Sequence, residues 1–404
     1  MTAADPSLQA QVDAQLLEQG AFTPLELLFN SGRLLYSDYE AWRRRELELL
    51  DGALMGNSDK IKAEMEQAVS YALRIGLVEQ LQDFHAWHTE ASPDTSGNDR
   101  PLRISLDTRL QRLISSRYVR AQSVPQMDLF FDNPIVALTN GIVHALSTRN
   151  LPDAQRRLDQ LYAQAPTHSD LAGFDQLLDA LSRLSRPIDD PRQTLAFLLE
   201  ATPTARRLLA AQSRDLLSPL WRQLSDALQG SPFNPNEPNL HASFALCQAQ
   251  DWAAVSDCVM RELNWQWHTP LCLRQTESAF NRRRRVEALA AWCQACWREP
   301  ASTSAAVTRL HHPDLTTLWH RFLDEEEPLQ EADFPAWLLL QEPGLVLQLA
   351  EDLPPGDTPA ETHYRTLHAC IRARRARHQE EELRLRKTLQ SSHPALFKLL
   401  KGSS

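Results

Sequence analysis

The residues most able to do chemistry lie in short clusters. Cys293 and Cys296 form a C-x-x-C, a spacing at which two thiolates can share a zinc ion or a disulfide. A zinc site needs four ligands, and Cys258 and Cys272 lie too far along the chain to complete one. With Ala291, Trp292, Ala295 and Trp297 as neighbours, the pair reads as buried free thiols on a helix face. The surroundings are not a βαβ unit, which disfavours a redox role. His311, His312 and His320, or His85 and His88, suggest metal ligands by type. No carboxylate or cysteine stands at a matching helical offset, so no metal site is expected. Arg282, Arg283, Arg284 and Arg285 could clamp an acidic peptide or a phosphate, because guanidinium groups grip carboxylates in a fork. The same run also suits a solvated turn at a helix start, where positive charge is mildly unfavourable. Serine nucleophile elbows and paired catalytic carboxylates are missing, and with only 12 Gly a phosphate-cradling loop is nearly excluded. Neither a catalytic residue nor a cofactor is expected.

The elements that would position these groups read as helices. Leu, Ala, Gln, Glu and Arg dominate the long segments, and β-branched residues are sparse, a mix that favours helix over strand. Thr23-Pro24 opens a short helix that Ser31-Gly32 stops. A second helix is expected from near Ser37 through Leu50 to Gly56-Asn57, and a third from Ser58 to Ile75 with Gly76 as its stop. The first two have helix-turn-helix spacing, with Arg43, Arg44 and Arg45 on the second. A DNA-reading helix enters the major groove through its first residues. Here those include Asp38 and Glu40, which would face phosphates, so this reading is disfavoured. Breaks rich in Pro, Gly and Asn then suggest the organisation: an N-terminal helical module over 1–90, a linker at 91–102, and a first helical-repeat section over 103–229. A second linker at 230–239, a second repeat section over 240–352 and a C-terminal helical cap over 353–404 complete it. In the cap, Arg372 to Lys387 mixes both charge signs, as an exposed salt-bridged face does, and Leu396, Phe397, Leu399 and Leu400 form an amphipathic end.

Within the repeat sections a pattern recurs at an offset of 34: Ala254 aligns with Ala288, and Leu263 with Trp297. Ala154 and Ala288 are each followed twelve positions later by a proline, Pro166 and Pro300. This resembles the tetratricopeptide repeat, a two-helix unit of that length. The resemblance implies that Ala154, Ala254 and Ala288 let paired helices approach closely and that Pro166 and Pro300 close the unit. It departs at Gln266, which replaces the closing proline, and at Ile142 and Thr276, which replace a small residue of the first helix. The fold implied is an all-α, TPR-like solenoid, and the function a protein-binding scaffold or adaptor acting through a concave surface.

One short motif stands apart. Gln126, Met127, Asp128, Leu129, Phe130 and Phe131 read QMDLFF between Pro125 and Pro134. The peptide is similar to that with which bacterial replication and repair proteins bind the DNA sliding clamp. That resemblance implies Leu129 and Phe130 in an apolar pocket and the Gln126 amide at its rim. The alternative is that the three apolar residues simply pack against the helix beginning at Asn133-Pro134.

Charge and composition bound the rest. With 52 acidic against 42 basic residues the net charge is −10, so direct nucleic-acid binding is not expected. No apolar window is long enough for a membrane span, no signal peptide is apparent, and six scattered cysteines fit a reducing cytoplasm. The expected partner is another protein or peptide, the sliding clamp being one option.

Overall fold

The computed structural model describes residues 6–87, 101–120, 134–310, 312–349 and 358–402. Helix accounts for 71% of the described residues, which places the protein in the all-α class, and none of the described helices is long and apolar enough to cross a membrane. The chain divides into two compact units, 1–251 and 252–404.

The first unit opens with α1 (Pro6–Gln19), β1 (Ala21–Phe22), α2 (Pro24–Asn30), α3 (Tyr36–Arg43), α4 (Ser58–Arg74), β2 (Leu77–Leu81), α5 (Thr108–Ser115) and β3 (Ser116–Arg120). Local signals set several boundaries. Asn57 caps α4 by accepting the amides of Asp59 and Lys60 at 2.9 and 3.1 Å, and Gly76 ends the helix at φ +86°. The expected second helix is cut short, because α3 stops at Arg43 and Arg45 turns left-handed at φ 62°. Strand is present despite the helix-rich composition: β3 lies between β1 and β2 in a three-stranded antiparallel sheet, pairing Phe22 and Glu79 with Tyr118. The stretch 103–120, grouped by sequence with the repeats, packs into this module instead. Ile104, Leu110, Ile114 and Tyr118 share one core with Phe22, Trp42 and Met65. Glu79 clasps the sheet to α5, receiving Arg112 Nε at 3.1 Å and Ser116 Oγ at 2.7 Å.

Six further helices complete this unit: α6 (Pro134–Ser147), α7 (Leu151–Gln164), α8 (Leu171–Arg183), α9 (Pro191–Leu209), α10 (Ser213–Ala227) and α11 (Ala242–Ala249). Each packs on the next, and α10 also touches α6 and α8, contacts beyond those of a one-dimensional stack. Gly173 lets α8 meet α9 closely, since a Cβ there would stand 2.8 Å from Leu208 Cδ1.

The second unit contains α12 (Trp252–Arg261), α13 (Thr269–Asn281), α14 (Arg285–Arg298), α15 (Pro300–Leu310), α16 (Pro313–Leu323), α17 (Phe334–Gln341), α18 (Pro359–Arg375), α19 (Gln379–Ser392) and α20 (Pro394–Gly402). The largely apolar α17, buried from Phe334 to Leu340, forms its centre, touched by α14, α16, α18 and α20. The amphipathic carboxyl end lies on its own chain, with Leu396 and Leu400 buried in the same core. The mixed-charge run Arg372 to Lys387 is broken into a hairpin at Arg377, and Arg374 and Arg386 of its two arms both reach Glu382, at 2.9 and 3.4 Å.

A single turn design joins many of these helices. Arg45, Arg149, Gln250, Arg283 and Arg377 are all left-handed, and each is followed by an amide that bonds five residues back, as Asn150 to Ala145 O and Arg284 to Ala279 O, both at 2.8 Å. Counted from these turns, α7 and α14 are equivalent: each has 14 residues with alanine, Ala154 or Ala288, fully buried at the fourth. Their last caps, Ala165 and Glu299, share one non-helical backbone shape, with φ −142° and −150° and ψ 68° and 77°, each directly before a proline, Pro166 or Pro300. The same count from Gln250 reaches Val255, which is fully buried, whereas Ala254 is only half-buried. The expected 34-residue alignment is therefore displaced by one position there.

Two outcomes follow. Arg377 is exposed and carries the steric cost of a left-handed L-residue, so Arg377→Gly should raise the stability of this unit by about 0.5–1 kcal/mol, read from urea midpoints at constant m. Arg112 and then Ser116 hold the Glu79 carboxyl down at about 2, below its ordinary 4.5. The clasp therefore stabilises the fold above pH 4.5, and this contribution is lost as pH falls from 4.5 toward 2. Glu79→Gln should cost about 1–2 kcal/mol at pH 7 and little near pH 2, measured by thermal melts across that range.

Candidate functional site

In the first unit the sheet-bearing module meets α6 and α10 through buried charge. Arg43 in the last turn of α3 and Asp215 in the first turn of α10 form an ion pair at 3.1 Å. Each sits at the helix end whose dipole favours its sign. They are only 3% and 7% exposed, so neither charge can turn to solvent. Tyr39 completes the set, donating its hydroxyl to Asp215 Oδ1 at 3.2 Å, while Arg43 Nε donates to the His85 carbonyl at 2.9 Å. Burial pushes the Tyr39 hydroxyl well above its ordinary range, and the nearby Asp215 charge adds to this against the lowering effect of Arg43. For Arg43, burial alone would lower the pKa, but Tyr39 and Asp215 outweigh it and raise it.

Three more arginines repeat the design of an ion pair beside an aromatic face. Arg149, on its left-handed turn, lies 3.3 Å over Trp87 and reaches Glu40 at 3.5 Å. Arg222 contacts Glu40 at 2.7 Å and Asp251 at 3.2 Å above Tyr36. Arg214 pairs with Glu26 at 2.6 Å above Phe29.

A cleft opens beside this network, walled by Glu26 and Phe29 of α2, Tyr39 and Arg43 of α3, and residues 82–85 leaving β2. Its other wall is His144, Ser147 and Thr148 ending α6, with Arg214 and Asp215 of α10. His85 and His144 meet edge to face at 5.7 Å. Burial first, then the positive potential of His85, Arg157 and Arg43, lowers the His144 pKa, so its imidazole is neutral at pH 7. Ser147 and Thr148 donate their hydroxyls to the His144 carbonyl, at 2.9 and 2.8 Å, rather than to an imidazole. They are therefore not activated as nucleophiles. The cleft is lined by charged groups of both signs and by neutral hydrogen-bonding groups.

The residues singled out from sequence fare differently. Gln126, Met127, Asp128, Leu129, Phe130 and Phe131 lie outside the described residues, as do His88 and His311. Arg43 is drawn into the interior, which removes it from any phosphate-facing surface. Of the arginine run, Arg285 forks onto Glu342 at 2.6 and 2.8 Å and also holds Asp314 at 2.6 Å. Arg284 pairs with Glu287 at 3.0 Å within its own helix start, and Arg283 forms the turn, beside Arg282. Arg284 and Arg285 of the supposed clamp are thus engaged with this chain's own carboxylates. Cys293 and Cys296 are buried, and burial lifts Cys293 to about 12 and Cys296 well above its ordinary value, so both remain thiols. His312 stacks on Phe280 with centroids 3.8 Å apart, and burial lowers it to about 4.

The group that sequence reasoning missed lies in the second unit. Asp333, His363 and His393 place one ligand atom each within 4.8 Å of one another, the one such group of three among the described residues. Asp333 closes the single turn before α17, His363 lies on α18, and His393 joins α19 to α20. Residues this far apart in sequence leave no spacing signal to find.

Together, the fold and these sites define a helical protein of two units, one carrying a small antiparallel sheet and a charged cleft. In comparisons with known proteins no family model matches the chain, and no curated protein or solved structure matches it either.

The ion pair is testable directly. Asp215→Ala leaves the Arg43 charge buried without its partner and should destabilise the first unit by about 3–5 kcal/mol in urea melts. Replacing both, as Arg43→Met with Asp215→Leu, should recover most of that loss, because the apolar pair strands no charge.

Proposed function

We propose that this protein is a scaffold or adaptor that binds another protein through its TPR-like helix hairpins and performs no turnover. The observation that carries this reading is the recurrence of one hairpin geometry within the units, with the same left-handed turn at Arg149, Arg283 and Arg377 and equivalent second helices in α7 and α14. Repeated hairpins cannot bury their apolar faces singly, and stacked together they present continuous surfaces that take up peptides or partner helices. The second reading, a DNA-maintenance factor recruited by the sliding clamp, rests on the match of Gln126 to Phe131 to the clamp-binding peptide. In either reading direct nucleic-acid contact plays no part, given the net charge of −10 and the buried position of Arg43.

A tagged pull-down from the native host should recover a protein in stoichiometric amount with wild type. The same protein should come down with a variant in which Gln126, Leu129 and Phe130 are all alanine, circular dichroism having established that both fold. Titration calorimetry with that purified partner should then give a defined stoichiometry. Recovery of the sliding clamp by wild type alone would replace the scaffold reading with the recruited-factor one. If neither protein retains a stoichiometric partner, both readings fall.

A further inference from the structure

We propose that Asp333, His363 and His393 form a binding site for a divalent transition ion of the zinc class. Two imidazoles and one carboxylate are a donor set suited to such an ion, and three protein ligands leave a further position for water or a partner's side chain. Ligand atoms sharing a tetrahedral ion at about 2.0–2.1 Å stand roughly 3.3 Å apart. Here His393 Nε2 lies 3.1 Å from Asp333 Oδ2, and all three donors lie within 4.8 Å of one another. His393 and Asp333 thus already stand at the separation that a shared ion requires.

What separates this group from an ordinary buried Asp–His hydrogen bond is His363. Its Nδ1 is buried and has no hydrogen-bond partner among the described residues, and its ring stands edge-on to His393 at 4.8 Å. Buried ring nitrogens are seldom left unsatisfied, and an ion held between the two rings and the carboxylate would satisfy this one. The remaining ligands are already oriented. Asp333 accepts the Gln330 amide at 2.9 Å, and His393 is joined to Asp333 at 3.1 Å. His363 and His393 are only partly buried, so an ion can arrive from solvent. One cost is visible. His393 Nδ1 accepts the Leu396 amide at 3.2 Å, which places the ring proton on Nε2. Ligation through Nε2 moves that proton to Nδ1 and gives up this long hydrogen bond.

The test uses the full chain after chelator treatment, titrated with Co2+ and then with Zn2+ in competition with a chromogenic indicator. Wild type should bind one equivalent, with the visible bands of a nitrogen- and oxygen-ligated Co2+ and no thiolate charge-transfer band. Saturating Zn2+ should raise the melting temperature, since the ion bridges elements that separate on unfolding. His363→Ala should weaken binding at least about 100-fold and abolish the thermal shift, with metal-free melting and circular dichroism unchanged. His363→Gln, which keeps size and polarity, should do the same. Failure of wild type to bind, equal binding by the His363 variants, or a thiolate band placing the ion on cysteine would each overturn the proposal.

Discussion

Short amphipathic helices are marginal alone, so this chain must keep folding them back on one another, and the device it uses is a left-handed turn residue that is not glycine. At Arg45, Arg149, Gln250, Arg283 and Arg377 the backbone accepts a conformation that disfavours any side chain. In the first unit that strain has a use. Arg149 lays its guanidinium over Trp87 and reaches Glu40, and Gln250 accepts a hydrogen bond from Arg214. A glycine would relax either turn, but it would also remove a strut from the charge network beside the cleft. At exposed Arg377 no comparable contact is present among the described residues, and there the strain stands alone.

The same network draws one arginine of α3 into the interior of the sheet-bearing module. Arg43 joins the negative end of the α3 dipole to the positive end of the α10 dipole through Asp215. Aromatic faces cover the neighbouring guanidinium groups, which lowers the local dielectric and strengthens each pair while penalising any charge left without one. The module is thereby held against α6 and α10 in one arrangement, and the cleft beside it inherits that rigidity. In the second unit the organising element is apolar instead. The largely apolar α17 has its neighbours packed around it, and Asp333, immediately before it, meets His363 and His393 from helices that fold back over the same core.

The sequence by itself determined what short-range chemistry decides. Pro24, Ser58 and Gly76 mark real helix boundaries, because a proline in the first turn, a capped start and a left-handed stop each act within a turn of the chain. Ala154 with Pro166 and Ala288 with Pro300 mark two equivalent helices for the same reason, and the Cys293–Cys296 pair is legible as helix-face packing. The tertiary structure alone decided what depends on distant partners. The α3 helix ends at Arg43, whose buried side chain finds Asp215 on a helix far along the chain. Residues 116–120 become a central strand only because β1 and β2 supply the hydrogen bonds on either side. Arg285 is committed to Glu342, Val255 rather than Ala254 takes the buried place, and three ligating side chains spread over sixty residues converge. Caps and turns are written in neighbouring residues, but charge pairing, strand pairing and ligand convergence have energies set by three-dimensional proximity, which no local pattern encodes.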